Sequence, residues 1–294
     1  MEKTIFGKTK LEVSPITLGT WGIGGAGWDD YPDEMRLDTI KAAVEAGINL
    51  IDTAPAYNGG RSEQCIGRAL EQIGARKDVY IVTKTGNDFI DGQYVRNGKA
   101  DNIFALCERS LRNLRTDYID ILLLHWPDPK VSLEETFGAM NRLKEQGIIG
   151  HIGASNLTKD QMIEAEKYTE IEVYQPHFSM LTQENEETIS WAHEKGIGVM
   201  AYGSLGRWTS DRQIPHGGDL RDHGQQKPFL RKIFPGALFL PCHAAAGGYA
   251  GDCGQARSRC FGGGAQLVPP EALYRHLYRR CPEEVPCGKQ CQMP

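Results

Sequence analysis

Short apolar runs alternate with helical amphipathic segments along the first two-thirds of the chain. Residues 118–124 read Tyr-Ile-Asp-Ile-Leu-Leu-Leu and end at His125, and Pro127 stops the run. Apolar runs of this length between helical patterns are typical of strands buried on both faces. Six further strands are predicted at residues 16–21, 49–53, 79–83, 149–154, 173–175 and 198–202. The pattern therefore predicts a parallel sheet of seven strands with helices between them.

Helix and turn signals support this prediction. A small hairpin is expected at residues 4–14, before the main sheet. Ser132 with Glu135, and Thr158 with Gln161, have the spacing of a capping box, and Asp33 is a candidate helix cap. Seven strand units joined by short loops favour closure as a (β/α)8 barrel of the TIM type. An open Rossmann-type sheet is the alternative, but no G-x-G-x-x-G follows the first strand.

Polar side chains stand at the ends of the predicted strands, where parallel α/β folds place their chemistry. A lysine and an aspartate at such depth are tolerated when paired, so Asp52 and Lys84 are expected to neutralise each other. The ammonium of Lys84 is expected to lower the pKa of Tyr57, which makes Tyr57 a candidate general acid. His125 is a candidate second hydrogen-bond donor to a carbonyl oxygen. Each residue taken singly also fits a structural role, and only the group of four points to chemistry.

Residues 1–206 resemble the aldo-keto reductases, a family of NAD(P)H-dependent enzymes with a (β/α)8 barrel. The resemblance is carried by Leu18-Gly-Thr-Trp21, Ala46-Gly-Ile-Asn-Leu-Ile-Asp-Thr-Ala54 through Tyr57, Ser62-Glu63, Thr83-Lys84, Ser110-Leu111, Leu124-His-Trp-Pro127 and Gly153-Ala-Ser-Asn156. It is similar above all to the branch with general stress proteins and potassium-channel β subunits. The resemblance implies that Tyr57 gives a proton and Lys84 tunes it. It also implies that Asp52 holds Lys84 and that His125 orients the carbonyl.

The same resemblance implies a nicotinamide cofactor, NADP with NAD as the alternative. Ser155, Asn156 and Gln175 would bind the carboxamide, and Tyr202 would stack on the ring. The other residues implied to contact the cofactor are Gly19, Thr20, Trp21, Asp52, Gly203, Ser204, Leu205 and Gly206, the last four as the start of a loop over the pyrophosphate. The expected substrate is a small carbonyl compound, and an aromatic-lined mouth is predicted from Trp21, Trp28, Tyr31 and Trp126.

The composition changes near Gly206, where the quoted motifs end. Residues 207–294 hold 12 Lys and Arg against 7 Asp and Glu, and only 4 Ile and Val against 28 before them. This change in composition favours translation of residues 207–294 in a shifted reading frame. A diverged but genuine segment is the alternative. We expect a barrel over residues 1–206, incomplete after its seventh strand, and a mostly irregular tail over 207–294. Strand candidates in the tail are residues 236–240 and 266–268, and residues 271–280 form a helix candidate.

Six of the eight cysteines lie in that tail, at Cys242, Cys253, Cys260, Cys281, Cys287 and Cys291. No C-x-x-C pair occurs among them, so no metal site is expected. The N-terminus has no signal-peptide core, so a cytoplasmic protein is expected and a disulfide framework is not.

Charge and hydropathy narrow the function classes further. A net charge of −5 gives no reason to expect nucleic acid or an anionic membrane as a partner. No apolar run reaches the ~20 residues needed to span a bilayer.

Two hypotheses for the function remain. One hypothesis is an enzyme that reduces aldehydes or ketones, favoured by the complete set of four strand-end residues. The other is a nucleotide-binding sensor or partner subunit with little turnover, favoured by the altered tail. The oligomeric state stays open.

Overall fold

The computed structural model describes residues 1–25, 31–179, 182–204 and 265–267 of the 294-residue chain. The strands are β1 Thr4–Ile5, β2 Glu12–Val13, β3 Ile16–Gly19, β4 Leu50–Asp52, β5 Tyr80–Thr85, β6 Asn87–Ile90, β7 Gln93–Arg96, β8 Ile119–Leu124, β9 Ile149–Ser155, β10 Val173–Gln175, β11 Gly198–Ala201 and β12 Ala265–Leu267. The α-helices are α1 Trp21–Gly24, α2 Asp33–Glu45, α3 Arg61–Ile73, α4 Ala100–Leu114, α5 Leu133–Glu145, α6 Lys159–Ala165 and α7 Glu186–Glu194. Short 3-10 helices span Gly7–Thr9 and Arg76–Asp78.

Eight strands close into a barrel in the order β3-β4-β5-β8-β9-β10-β11-β12. The first seven pair in parallel, each with the next along the chain. This confirms the barrel and excludes the open sheet. Closure differs from the expected gap after the seventh strand, because β12 pairs antiparallel with both β11 and β3. Backbone groups at a sheet edge are satisfied by any segment that can pair with them, so the eighth strand need not belong to a βα unit.

The interior of the barrel is apolar and is closed at its lower end, where the parallel strands begin. Side chains of β4, β5, β8, β10 and β11 fill it, with Leu50, Val82 and Ile121 fully buried. Phe6, from the predicted N-terminal hairpin, joins this cluster from below. Gly198 makes room for it, since a Cβ at residue 198 would lie 2.6 Å from the Phe6 ring. The lower end is therefore filled with packed side chains, and the carboxyl ends of the strands remain for a site.

Of the three predicted helix caps, one is confirmed, one is confirmed in part and one is wrong. Thr158 and Gln161 form the full capping box at the start of α6. Ser132 accepts a hydrogen bond from the Glu135 amide, but the Glu135 carboxylate instead accepts from the Ala100 amide. Asp33 lies inside the first turn of α2 and caps nothing. Its carboxylate pairs with Arg61 and Arg68, 3.1 Å and 2.6 Å away, because two guanidinium groups compete successfully with its own helix end.

The hairpin β6–β7 was not predicted. It follows β5 directly and so stands at the carboxyl end of the barrel, with Asn87 paired to Arg96. Its turn is Asp91-Gly92, with both residues at positive φ, 50° and 78°. Asp-Gly between alternating apolar residues is a strong hairpin signal, and it could have located this element.

Several expectations lie outside the described residues. These are Trp28, Leu205 and Gly206, the strand at 236–240, the helix at 271–280 and the six tail cysteines. The division of the chain at residue 206 also falls there and stays a prediction. Within the described ranges no helix is long and apolar enough to cross a membrane, and no three His, Cys, Asp or Glu side chains form a metal-ligand group.

Candidate active site

The structure brings the four predicted strand-end residues together in the barrel mouth. Asp52 ends β4, Lys84 lies near the end of β5, and His125 follows β8. Tyr57 lies in the turn after β4. The Lys84 Nζ donates to Asp52 Oδ1 at 2.6 Å and to the Tyr57 hydroxyl at 3.1 Å. The Tyr57 and His125 rings meet edge to face, with centroids 5.9 Å apart. One ammonium therefore links the carboxylate on one side to the phenol on the other.

The ion pair of Lys84 and Asp52 is buried, with side chains 1% and 6% exposed. Burial lowers the pKa of Lys84, while the charge of Asp52 acts in the opposite direction. The third donor hydrogen of Lys84 goes to the Thr53 carbonyl at 2.7 Å, and Gln175 Nε2 donates to Asp52 Oδ1 at 2.8 Å. A buried charge is tolerated only when its hydrogen bonds are made in this way. The pairing predicted from the sequence is the pairing in the structure.

The predicted direction of the Tyr57 pKa is wrong for this structure. Burial raises the pKa of Tyr57 well above its ordinary value, and the negative charge of Asp52 adds to the rise. The prediction considered the Lys84 ammonium and left out the burial of the phenol, which is the largest cause of the rise. Tyr57 consequently holds its proton at neutral pH. A hydroxyl that is protonated and touches an ammonium is arranged to give its proton away, since the ammonium stabilises the phenolate that remains.

His125 is neutral in this environment. Burial lowers its pKa well below the ordinary value, and the positive charges of Lys84 and Arg96 lower it further. The Nδ1 atom is buried without a hydrogen-bond partner in the part of the chain that the structure describes. The backbone is fixed, with the His125 amide donating to Thr85 O at 2.9 Å and its carbonyl accepting from Asn156 Nδ2 at 2.9 Å. A neutral imidazole can donate a hydrogen bond to a carbonyl oxygen without competing with Tyr57 as the acid.

A second polar group lies beside the first, at the ends of β9, β10 and β11. The Asn156 amide donates to Ser155 Oγ at 2.9 Å and its oxygen accepts from the Tyr202 hydroxyl at 2.8 Å. Ser155 Oγ donates to the Gln175 carbonyl at 2.8 Å. Asn156 adopts a positive φ of 59°, which turns its side chain back over the strand ends. The group thereby holds a half-buried tyrosine ring and amide oxygens next to the Lys84–Asp52 pair.

This second group fits the nicotinamide ring that the family resemblance implies. Asn156 Oδ1 has one remaining lone pair to accept from a carboxamide NH2, and the Tyr202 ring offers a flat face. Gly203 and Ser204 directly follow Tyr202 in the chain and are half-buried. Gly19 and Trp21 are half-buried at the end of β3.

Thr20 differs from the other residues predicted to contact the cofactor. It has no exposed surface, and its hydroxyl donates to the Asp52 carbonyl at 2.7 Å. The geometry therefore gives Thr20 a structural role, which is to tie β3 to β4, and does not support a contact with the cofactor.

Two residues of α3 support the site from below. Ser62 Oγ lies 2.6 Å from Thr20 Oγ1 and 3.0 Å from Thr53 Oγ1, on either side of Asp52. Glu63 is fully buried, and it accepts from Thr83 Oγ1 at 2.7 Å. Burial raises the pKa of Glu63, and hydrogen bonds from Asn113 and Thr83 oppose the rise. In the sequence, Ser62-Glu63 carries the family resemblance alone. Two polar residues on the buried face of a helix are the signal that indicates a supporting role.

The chain is thus a closed α/β barrel. Its candidate active site, formed by an ion pair, a tyrosine and a histidine, lies at the carboxyl ends of the strands. The Aldo/keto reductase family model matches residues 15–245, and the chain belongs to this family. Its members are oxidoreductases that act on aldehydes and ketones and use nicotinamide cofactors. The match runs beyond Gly206 and leaves residues 246–294 outside.

Individual relatives agree with the family assignment. Aldo-keto reductase YhdN of Bacillus subtilis (strain 168) is 39% identical over 241 residues, which cover 79% of this chain and 72% of the relative. The NADH-specific methylglyoxal reductase of Escherichia coli (strain K12) is 37% identical over 221 residues, covering 70% of this chain and 68% of the relative. The structure of glycerol dehydrogenase AKR11B4 from Gluconobacter oxydans superimposes with a TM-score of 0.70 at 30% identity, covering 85% of this chain and 79% of that chain.

Proposed function

We propose that this chain reduces aldehydes and ketones to alcohols with NADPH, and that Tyr57 is the general acid. The observation that carries the proposal is the contact of the Tyr57 hydroxyl with Lys84 Nζ at 3.1 Å, with Asp52 held 2.6 Å away on the far side. Family membership supports the reaction class. A binding module has no need of a protonated phenol beside a buried ammonium, whereas proton transfer to an alkoxide requires both.

The residues of the site divide the work. His125, neutral and fixed through its backbone, donates a hydrogen bond that holds the carbonyl oxygen near the Tyr57 hydroxyl. The reduced nicotinamide, when bound, supplies the hydride that adds to the carbonyl carbon. Tyr57 gives its proton to the oxygen as negative charge develops there. Lys84 stabilises the resulting phenolate, and Asp52 keeps Lys84 charged in its buried position.

The cofactor would be held by the second polar group. Asn156 would accept a hydrogen bond from the carboxamide, Ser155 and Gln175 would keep Asn156 and Asp52 in place, and Tyr202 would stack on the ring. NADPH is proposed over NADH on the family resemblance. The relative named as NADH-specific makes NADH the necessary comparison, so both cofactors belong in every assay.

The test is a comparison of Tyr57→Phe with the unaltered chain. With NADPH and a reactive aldehyde, the rate of NADPH oxidation, followed by the absorbance of the reduced nicotinamide, should be lower in Tyr57→Phe by about 100-fold or more. General acid catalysis contributes factors of this size. Cofactor affinity, followed by fluorescence titration, should stay within about threefold because only a hydroxyl is removed.

Tyr168→Phe is the matched control, because Tyr168 packs half-buried against the outer core, away from the site. It should leave both quantities unchanged. Near-normal turnover by Tyr57→Phe would refute the assignment of the acid. Tight NADPH binding without turnover by the unaltered chain would favour the sensor or partner subunit instead.

A further inference from the structure

The hairpin β6–β7 places one face over the candidate active site. Side chains two apart in a strand share a face, so Tyr94 and Arg96 of β7 lie on the same side. Arg96 is the last residue of β7 and pairs with Asn87, three residues after Lys84. The Arg96 guanidinium stacks on Trp126, with its Cζ 4.8 Å from the ring centroid. Trp126 directly follows His125. This side of the hairpin therefore borders the space above the catalytic histidine.

Among the described residues, Arg96 has no ion-pair partner. Arg96 is exposed, and no acid of residues 1–25, 31–179 or 182–204 forms an ion pair with it. The two nearby carboxylates are already engaged. Asp88 makes a bidentate pair with Arg109, at 2.6 Å and 3.0 Å. Asp128 accepts from the backbone amides of Gly98 and Lys130. The contact with Trp126 restricts the position of the guanidinium, and a guanidinium over an aromatic ring can still donate hydrogen bonds in its own plane.

We infer that Arg96 binds a carboxylate on the substrate, so that the preferred substrates are carbonyl compounds that carry an acidic group away from the reacting carbon. This inference rests on the proposed function and names its substrate class. A guanidinium offers two parallel N–H donors that match a carboxylate, and stacking on an aromatic ring orients them in advance. Trp126 and Tyr94 supply apolar surface for the carbon skeleton between the two ends.

The electrostatics of the mouth support the same assignment. The Arg96 charge is felt at His125, where it adds to the effects of burial and Lys84 that lower the histidine pKa. Arg96 is therefore near enough to His125 for its charge to act on the imidazole. A carboxylate bound there would supply the ion-pair partner that no described residue provides for Arg96.

The test uses two substrates that differ in charge and by one methyl group, 4-carboxybenzaldehyde and methyl 4-formylbenzoate, each with NADPH. The unaltered chain should show a higher kcat/KM for the acid. Arg96→Gln should lower kcat/KM for the acid by about tenfold, mainly through KM, because the contact is made equally in the bound substrate and the transition state. The ester should change by less than about twofold. Arg96→Lys should be intermediate for the acid, since it keeps the charge and loses the fork.

Lys99→Gln is the matched control, because Lys99 is exposed three residues along the chain and the same unit charge is removed. It should leave both substrates unchanged. Equal losses for acid and ester in Arg96→Gln, or no loss for either, would overturn the inference while leaving the proposed reaction intact. If neither substrate is reduced by any variant, the proposed function fails. Isothermal titration of the acid and the ester still decides the subsite: equal affinity in the unaltered chain refutes it, and tighter acid binding that Arg96→Gln removes supports it.

Discussion

Replacing Lys84 by Met tests whether the buried ion pair organises the site. The substitution keeps most of the side-chain volume and removes the ammonium, so the packing around β5 changes little. What is lost is the partner of Asp52, whose side chain is only 6% exposed, together with the donor to the Thr53 carbonyl. An uncompensated buried charge costs about 3–5 kcal/mol. The Gln175 amide still donates to Asp52, so the lower part of this range applies.

Urea denaturation followed by circular dichroism measures this loss. For a slope of about 2–3 kcal/mol per molar urea, the midpoint should fall by about 1 M or more. Activity with NADPH and an aldehyde should fall with it, because Tyr57 loses the cation that stabilises its phenolate. Lys99→Met, at an exposed lysine, should stay within about 0.5 kcal/mol of the unaltered chain.

The double variant Asp52→Asn with Lys84→Met separates charge from packing. Removing the orphaned carboxylate should restore about 2 kcal/mol relative to Lys84→Met alone, while activity stays lost. An unchanged midpoint in Lys84→Met would refute the buried pairing. Absence of recovery in the double variant would mean that the loss comes from packing and that the charge argument is wrong.

Three further predictions concern pH and stability. First, kcat/KM for reduction should be flat from about pH 6.5 to about pH 8, because the pKa of His125 is lowered and that of Tyr57 is raised; an acid limb in this range would contradict the direction for His125, and an alkaline limb would contradict the direction for Tyr57. Second, Glu172→Gln should cost about 2 kcal/mol at pH 7. Burial raises the Glu172 pKa, but hydrogen bonds from His151, Lys144 and the Ile152 amide outweigh it and set it to about 2. A lowered folded-state pKa stabilises above the ordinary value of 4.5, so the urea midpoints of the two proteins should converge as the pH falls from 4.5 toward 2, and a constant gap would count against the pairing. Third, Thr158→Ala should cost about 1 kcal/mol in thermal or urea unfolding by removing the N-cap of α6, whereas Thr39→Ala, which removes an exposed hydroxyl that donates to the Met35 carbonyl within α2, should cost much less.

The sequence by itself determined the class of fold and the membership of the site. Strand runs bounded by helical patterns have a local origin in side-chain periodicity, so β3, β4, β5 and β8 to β11 were found near their true bounds. A polar residue that follows a buried strand must lie at the strand end. Asp52, Lys84 and His125 were therefore brought together by topology alone. The roles of these residues in catalysis stay predictions, which the variants above test.

Tertiary structure alone decided how the barrel closes and how the site is charged. The antiparallel pairing of β12 depends on which free edges meet in space, and no local pattern encodes that. The rise of the Tyr57 pKa comes from burial and from the charge of Asp52, and both depend on how the strands are assembled. Thr20 became a tie between β3 and β4 for the same reason, since its neighbours Asp52 and Ser62 lie 32 and 42 positions away along the chain. Arg96 lies over Trp126, next to His125, because a short hairpin turns the chain back. Local periodicity determines where helices and strands form. The desolvation of a side chain and the electrostatic field at it depend instead on every neighbour that the fold places around it.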